Sequence, residues 1–206
     1  MATLCKRYSL KKPEIIVPLS YGATPEGPTT QTYKNTIMAG GFWTKLPHAL
    51  IVYGNAGYLF EGAIEVENAK KRTLQQMKVP DDQILYAGSI NNSIQEATAI
   101  RDTLEARRIK PNRILLCTGE MHSRSIRAIW RYFFPKGEIL VSGGIFGEEY
   151  QWDHPVFLER GPWRWLMANI MRHIGFRAAM YCERYLPFIP FTPATLARVH
   201  HWVPRK

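Results

Sequence analysis

One segment of the chain concentrates residues that could move protons and hold an anion. It runs Leu116-Cys-Thr-Gly-Glu-Met-His-Ser-Arg-Ser-Ile-Arg127, and His122 stands directly before a predicted helix. The first turn of that helix carries two arginines, which work against the helix dipole because that end favours negative charge. A bound phosphate or carboxylate would resolve the conflict, since free N–H groups at a helix N-terminus accept anions. The predicted ligand-binding residues of this segment are Thr118, Gly119, Ser123, Arg124 and Arg127.

His122 is the predicted general acid or base, or an electrophile, beside that anion. The alternative is that the arginines are solvated and that His122 only caps the helix.

A second segment, Ser89-Ile-Asn-Asn-Ser-Ile-Gln-Glu96, combines short polar side chains with one carboxylate. Ser93 followed three residues later by Glu96 is a capping-box pattern, which explains both residues without a ligand. The polar residues before Ser93 are surplus to that cap and suit a loop that hydrogen-bonds a ligand. We therefore keep both interpretations, with Glu96 as a catalytic carboxylate that orients His122, and with three predicted ligand contacts: Ser89, Asn92 and Ser93.

A third group of carboxylates lies in Glu61-Gly-Ala-Ile-Glu-Val-Glu67, at the start of another predicted helix. Acidic residues are favourable there by themselves, because they interact with the helix dipole. Glu67 is the alternative catalytic carboxylate that could orient His122. The ends of the first two predicted strands add three more ligand-binding candidates: Ser20, Gly22 and Gly54.

Strands and helices alternate along the chain and would bring these segments together. The apolar runs predict strands over 14–20, 49–53, 83–87, 113–117 and 138–142, with helices over 29–45, 63–77, 93–108 and 123–134. This alternation predicts a parallel sheet covered by helices on both faces, in a Rossmann-like α/β three-layer sandwich. We expect the strand order 3-2-1-4-5, which places the candidate residues at the switch point between the first and fourth strands.

Composition narrows the class of protein. The chain has 206 residues, of which 46% are hydrophobic and 21% charged, as in globular proteins. It has no run of about 18 apolar residues, no signal-peptide pattern and only three cysteines, so we expect a cytoplasmic protein. Dinucleotide, Walker, nucleophile-elbow and zinc motifs are missing, so the sequence identifies no cofactor and predicts no metal site.

The C-terminal part differs from the rest. We predict an α/β domain over 1–145, then a loop and a helical arm over 146–206 that packs on it. Residues 160–206 hold eight basic residues, one acidic residue and eight aromatic residues, and the whole chain carries a net charge of +10. From Pro162 onward, apolar residues recur at steps of three and four: Trp163, Leu166, Met167, Ile170, Met171, Ile174, Ala178, Tyr181 and Tyr185.

Such a stripe is more often core than surface, so core packing is the first expectation for the arm. The alternative function is a peripheral membrane or interaction protein that uses this arm on an anionic membrane surface, such as the inner membrane. Nucleic acid is not the predicted partner, because no recognised nucleic-acid-binding module is present.

The order of these motifs resembles the YdcF/SanA/ElyC family of bacterial domains over about residues 14–145. The third-strand pattern of that family, Ser-x-x-Asn-Thr-x-x-Asn/Glu-Ala, is similar to Ser89-Ile-Asn-Asn-Ser-Ile-Gln-Glu-Ala97. Its fourth-strand pattern, Thr-Ser-x-x-His-x-x-Arg-Ala, is similar to Cys117-Thr-Gly-Glu-Met-His-Ser-Arg-Ser125, where Ser125 stands in place of the family arginine. The resemblance implies a Rossmann-like fold with a polar crevice. In the branches of the family that are linked to envelope biogenesis, it implies a role near cell-wall or lipid-carrier metabolism.

We therefore expect the chain to bind a phosphate-bearing small molecule, nucleotide-like or lipid-carrier-like, and to act on it as a hydrolase or transferase. Its ligand, its cofactor and its oligomeric state stay open.

Overall fold

Five parallel strands form one sheet in a computed structural model of the chain. The structure describes residues 13–21, 23–24, 27–55, 63–90, 92–119, 122–144 and 162–199. The strands of the sheet are β1 (Ile15–Pro18), β4 (Leu50–Asn55), β5 (Ile84–Ser89), β6 (Arg113–Gly119) and β7 (Glu138–Gly144). Their order is β5-β4-β1-β6-β7, which confirms the predicted order and the Rossmann-like α/β class. A short antiparallel hairpin of β2 (Ala23–Thr24) and β3 (Gly27–Pro28), which was not predicted, follows β1.

Six α-helices accompany the strands in the described residues: α1 (Thr30–Trp43), α2 (Ala63–Gln76), α3 (Ser93–Ala106), α4 (Ser123–Phe133), α5 (Pro162–Tyr185) and α6 (Pro193–Val199). Successive strand residues point to opposite faces of the sheet, so each strand contributes to two cores. Ile16 and Ile51 pack with Leu74 under α1 and α2. Val17 packs with Ile100 of α3, and Trp130 of α4 and Phe176 of α5 belong to the same buried cluster on the other face.

The strand ends differ from the predicted ones in a consistent way. Each of β4, β5, β6 and β7 ends two residues later than its apolar run predicts, at Asn55, Ser89, Gly119 and Gly144. Small and polar residues continue the ladder there, as the pairs Thr118–Gly143 and Gly119–Gly144 show. Gly54, Ser89, Thr118 and Gly119 are therefore strand residues and not members of the following loops.

β1 is shorter than predicted and ends at Pro18. Leu19 still donates its N–H to Cys117 O at 3.1 Å, but the next two N–H groups leave the sheet. Ser20 N donates to Glu96 Oε1 at 3.1 Å, and Tyr21 N donates to Thr32 Oγ1 at 2.7 Å. The side chains of two helices, one on each face of the sheet, thus replace the strand ladder at this point.

Gly40 of α1 lies in close contact with the residue that follows α2. A Cβ atom built on Gly40 would lie 2.3 Å from Met77 Sδ, whereas one built on Gly41 would have no described atom within 4 Å. Gly40 therefore allows this approach, and its neighbour has no such role in the described part of the chain.

Helix α5 packs on the domain with the face opposite to the apolar stripe that was expected to form the core contact. Phe176 and Ala179 are 2% and 0% exposed, and the Phe176 ring meets the ring of Tyr132 in α4 edge-on, with centroids 5.9 Å apart. The predicted core face points the other way, with Trp163 77% exposed and Met171 63% exposed. The core prediction for the stripe is thus wrong, because the periodicity of apolar residues identified a face but not the side on which the domain lies.

Candidate functional site

A lysine and a serine meet at the ends of β1 and β4. Ser20 directly follows β1, and its Oγ donates a hydrogen bond to Gly54 O at 2.9 Å. Lys70 of α2 donates from Nζ to Ser20 Oγ and, at 2.8 Å, to the same Gly54 carbonyl oxygen. Lys70 is 1% exposed, so its ammonium group is buried against the serine hydroxyl and a backbone carbonyl.

Glu96 of α3 reaches Ser20 from the other face of the sheet. Its carboxylate is 1% exposed and accepts the Ser20 N–H. Burial raises the pKa of Glu96 from 4.5 to about 7, while the Lys70 charge and the hydrogen bonds from Ser20 act in the opposite direction. Burial likewise lowers the pKa of Lys70 from 10.5 to about 8, against the Glu96 charge, which raises it. Ser20 thus lies between two buried groups that both change protonation near neutral pH.

His122 is buried at the beginning of α4, where it is 3% exposed. Its Nε2 lies 3.3 Å from Ser93 Oγ, and its Nδ1 lies 3.3 Å from Ser125 Oγ. The Tyr21 ring meets the imidazole edge-on, with centroids 5.0 Å apart. His122 occupies the N-cap position but its side chain makes no capping hydrogen bond, so the alternative that it only caps the helix is wrong.

Asn92, and not Ser93, caps α3. Asn92 Oδ1 accepts the N–H groups of Ile94 at 3.0 Å and Gln95 at 2.9 Å. The predicted capping box is therefore wrong, and the two side chains assigned to it turn to the site instead. Ser93 faces His122, and Glu96 accepts the Ser20 N–H, so the geometry does not give Glu96 the predicted role of orienting His122.

Thr118 places a polar atom without a described partner in the interior. It is 0% exposed, and its Oγ1 has no hydrogen-bond partner among the residues that the structure describes. By strand alternation it shares the face of Leu116, which packs on the side of α3 and α4. Its hydroxyl therefore lies on the face of the sheet that α3 and α4 cover, five residues before α4 begins.

The first turn of α4 contains no acidic residue. Its two arginines, Arg124 and Arg127, are exposed, and Ser123 is half-buried. The positive end of the helix dipole and two cations thus share one end of this helix.

The remaining predicted residues are spread over a wider region. Ser89 is exposed at the end of the edge strand β5, opposite Asn55 in the register of β4. Gly54 and Gly119 are buried at the ends of β4 and β6. Glu67 belongs to α2, but its side chain lies outside the described part of the structure, as do Gly22 and the predicted loop over 146–160.

Lys70 is one residue of this site that the sequence analysis missed. It stands in the run Lys70-Lys71-Arg72, which is typical of a solvated helix face. Its spacing carried a usable signal, because Leu74 follows at four residues and Met77 at seven, on the same face of the helix. That face is buried, with Leu74 0% exposed, so a lysine at this register must enter the interior.

Among the described residues, no three or more His, Cys, Asp and Glu side chains are grouped closely enough to hold a metal ion. Within the same residues, none of the helices has the length and apolar character needed to cross a membrane. A scan against protein-family models and a search of curated proteins both found no match for the chain. The resemblance to the YdcF/SanA/ElyC family thus stays a prediction.

Proposed function

We propose that the chain binds a phosphate-bearing small molecule at the carboxyl edge of β1 and β6 and acts on it as a hydrolase or transferase. One juxtaposition carries the proposal. The beginning of α4 and the buried Thr118 hydroxyl lie on the same face of the sheet and are suited to an anion, and the Lys70–Ser20–Glu96 cluster lies at the end of β1, the strand that pairs with β6. The ligand class, nucleotide-like or lipid-carrier-like, follows the expectation from the sequence.

The anion half of the site has three supports. The α4 N-terminus receives no side-chain cap from His122, and the first N–H groups of a helix are a favourable site for an anion. Arg124 and Arg127 add positive charge at the same end. The Thr118 hydroxyl lacks a described partner, and a buried hydroxyl without one costs about 1–3 kcal/mol, which a phosphate oxygen would offset.

The proton-transfer half rests on Glu96, His122 and Lys70. Glu96, with its pKa raised to about 7, can take a proton from an attacking hydroxyl and release it again. His122, held between two serine hydroxyls, serves as the second acid or base. Lys70 stabilises negative charge that develops on the phosphoryl oxygens, as cationic groups do in phosphoryl transfer.

A thermal-shift screen against nucleotides, nucleotide sugars and prenyl phosphates tests binding. A ligand at 100 times its dissociation constant adds about 2.7 kcal/mol to the free energy of unfolding. We expect Thr118→Val to abolish the shift while it leaves the free protein as stable as before or more stable, because it removes an unsatisfied hydroxyl. Arg124→Ala should weaken the shift, and Arg131→Ala, at the opposite end of α4, should not. A screen with no shift, or one that Thr118→Val leaves unchanged, contradicts the proposal.

The compound found in that screen then serves as substrate in an assay for phosphate release. His122 is buried, so we choose His122→Gln, which keeps its volume and hydrogen-bonding capacity better than alanine does. We expect turnover to be lost while the compound still stabilises the variant. Undiminished turnover would remove His122 from the proposed chemistry without affecting the binding proposal.

A further inference from the structure

Helix α5 presents apolar side chains to solvent along its whole length. Their exposed fractions range from 41% at Ile170 to 77% at Trp163. They recur at steps of three and four residues, so they form one stripe along the helix. We call this the α5 stripe, and its described members are Trp163, Met167, Ile170, Met171, Ile174, Tyr181 and Tyr185.

The opposite face of α5 fixes the orientation of the stripe. Phe176 and Ala179 are buried in the domain, and Tyr132 of α4 donates a hydrogen bond to Glu183 at 2.5 Å. A helix of 24 residues is about 36 Å long at a rise of about 1.5 Å per residue. The α5 helix therefore presents a long apolar surface on the side away from the domain, and in the described part of the chain the core does not include these side chains.

Arginines border the α5 stripe on both sides. At 3.6 residues per turn, Arg177 and Arg184 fall along one edge and Arg164 along the other, and all three are exposed. The one acidic residue of 160–206, Glu183, lies on the packed side, where it accepts the Tyr132 hydroxyl. The stripe is thus an apolar surface with positive borders.

We propose that the α5 stripe is a docking surface for an anionic lipid membrane, with α5 lying in the plane of the headgroups. Apolar side chains enter the boundary between headgroups and acyl chains, and the bordering arginines contact lipid phosphates. The stripe includes Trp163, Tyr181 and Tyr185, and Trp and Tyr are residue types that are enriched at membrane–water interfaces. The helix lies on the membrane and does not cross it, since it is not apolar enough to span one.

Charge decides between this partner and a second copy of the chain. Two copies that pack stripe to stripe would bring two sets of bordering arginines together, and like charges at close range oppose such an interface. An anionic lipid surface instead complements the positive borders, and each arginine near it contributes about fivefold in affinity. This proposal stands on α5 alone and does not depend on the crevice.

The test is sedimentation of the full chain with vesicles of phosphatidylcholine alone and of phosphatidylcholine mixed with phosphatidylglycerol. We expect binding to the mixed vesicles at low salt that weakens as salt rises, and little binding to phosphatidylcholine. Met171→Glu with Ile174→Glu should abolish it. Ile37→Glu, on the exposed side of α1, is the matched control because Ile37 is 40% exposed but belongs to another helix, and it should bind like wild type.

Arginine substitutions test the borders separately. Arg177→Gln with Arg184→Gln should lower vesicle affinity by about twentyfold or more, at about fivefold for each charge, while Arg131→Gln on α4 should not lower it. No binding at low salt, equal binding to both vesicle types, or an equal loss in Ile37→Glu overturns the proposal. A dimer in sedimentation equilibrium that the Met171→Glu and Ile174→Glu substitutions dissociate, without vesicle binding, would assign the stripe to a second copy instead.

Discussion

Lys70 and Glu96 approach Ser20 from opposite faces of the sheet, and their charges are buried together. Because one pH unit of pKa displacement corresponds to about 1.4 kcal/mol, keeping Glu96 ionised above pH 7 costs the folded state about 3 kcal/mol relative to the unfolded chain. Keeping Lys70 protonated below about pH 8 costs a similar amount, about 3 kcal/mol. Each cost already includes the favourable interaction between the Lys70 ammonium and the Glu96 carboxylate.

The sign of the pH dependence follows from the proton counts. Between pH 4.5 and about 7 the folded chain binds more protons at Glu96 than the unfolded chain does, so stability falls as pH rises. Between about pH 8 and 10.5 the unfolded chain binds more protons at Lys70, so stability rises again with pH. The contribution of the pair is therefore least favourable between about pH 7 and 8.

Lys70→Met, Glu96→Gln and the double variant separate these effects. Lys70→Met removes the charge that lowers the pKa of Glu96, so the pKa of Glu96 rises further. The loss in the free energy of unfolding then grows as pH rises. Removing one member of a buried pair typically costs about 3–5 kcal/mol, whereas replacing both charges is often neutral or stabilising. We expect the double variant to be more stable at pH 7.5 than either single variant and to lose most of the wild-type pH dependence.

Urea denaturation of the four proteins from pH 5 to 10 gives the free energies, provided that the m values agree. Single-variant effects that add up to the double-variant effect within about 0.5 kcal/mol would mean that the two charges do not interact. The assignment to this pair fails if the double variant keeps the wild-type minimum in the free energy of unfolding between pH 7 and 8. Another titrating group would then cause that minimum.

Two further predictions concern helices near the site. Gly41→Ala should raise the free energy of unfolding by about 0.5–1 kcal/mol through helix propensity. Gly40→Ala should gain less or become destabilising because its Cβ displaces Met77, so equal melting temperatures for the two variants would contradict the close approach. Asn92→Ala should cost about 1 kcal/mol as loss of the α3 cap, and Ser93→Ala less. The reverse order in urea denaturation would favour the capping box that the sequence suggested.

Apolar runs predict the sheet order well because each strand is buried on both faces. Ile114, Leu115 and Leu116 are all at most 6% exposed, so their run identifies β6 without any knowledge of its neighbours. The same signal misplaces the ends of the strands. Thr118 and Gly119 pair with Gly143 and Gly144 through backbone groups alone, and hydrogen bonding of this kind leaves no mark in the hydropathy of the sequence.

The sequence predicts a site residue well when strand order alone fixes its position. It predicts a residue less well when several hydrogen-bond partners compete for its side chain. Ser20 follows β1 and His122 follows β6, and these two strands pair with each other as the predicted order required. The capping box was wrong because Glu96 had two possible acceptor roles, and the sequence shows only the local one. The Ser20 N–H, distant in sequence, is the partner that the carboxylate takes.

Early termination of β1 explains why these partners come together. Proline has no N–H to continue a ladder, and after Pro18 only Leu19 still donates to β6. The half-buried N–H group of Ser20 and the buried N–H group of Tyr21 then need acceptors, because a buried donor without one costs about 1–3 kcal/mol. Glu96 of α3 and Thr32 of α1 supply them, which ties one helix from each layer to the end of β1. The candidate site is thus also a structural junction, so a loss of activity on substitution of Glu96 identifies a proton-transfer role only if the stability of the same variant is measured beside it.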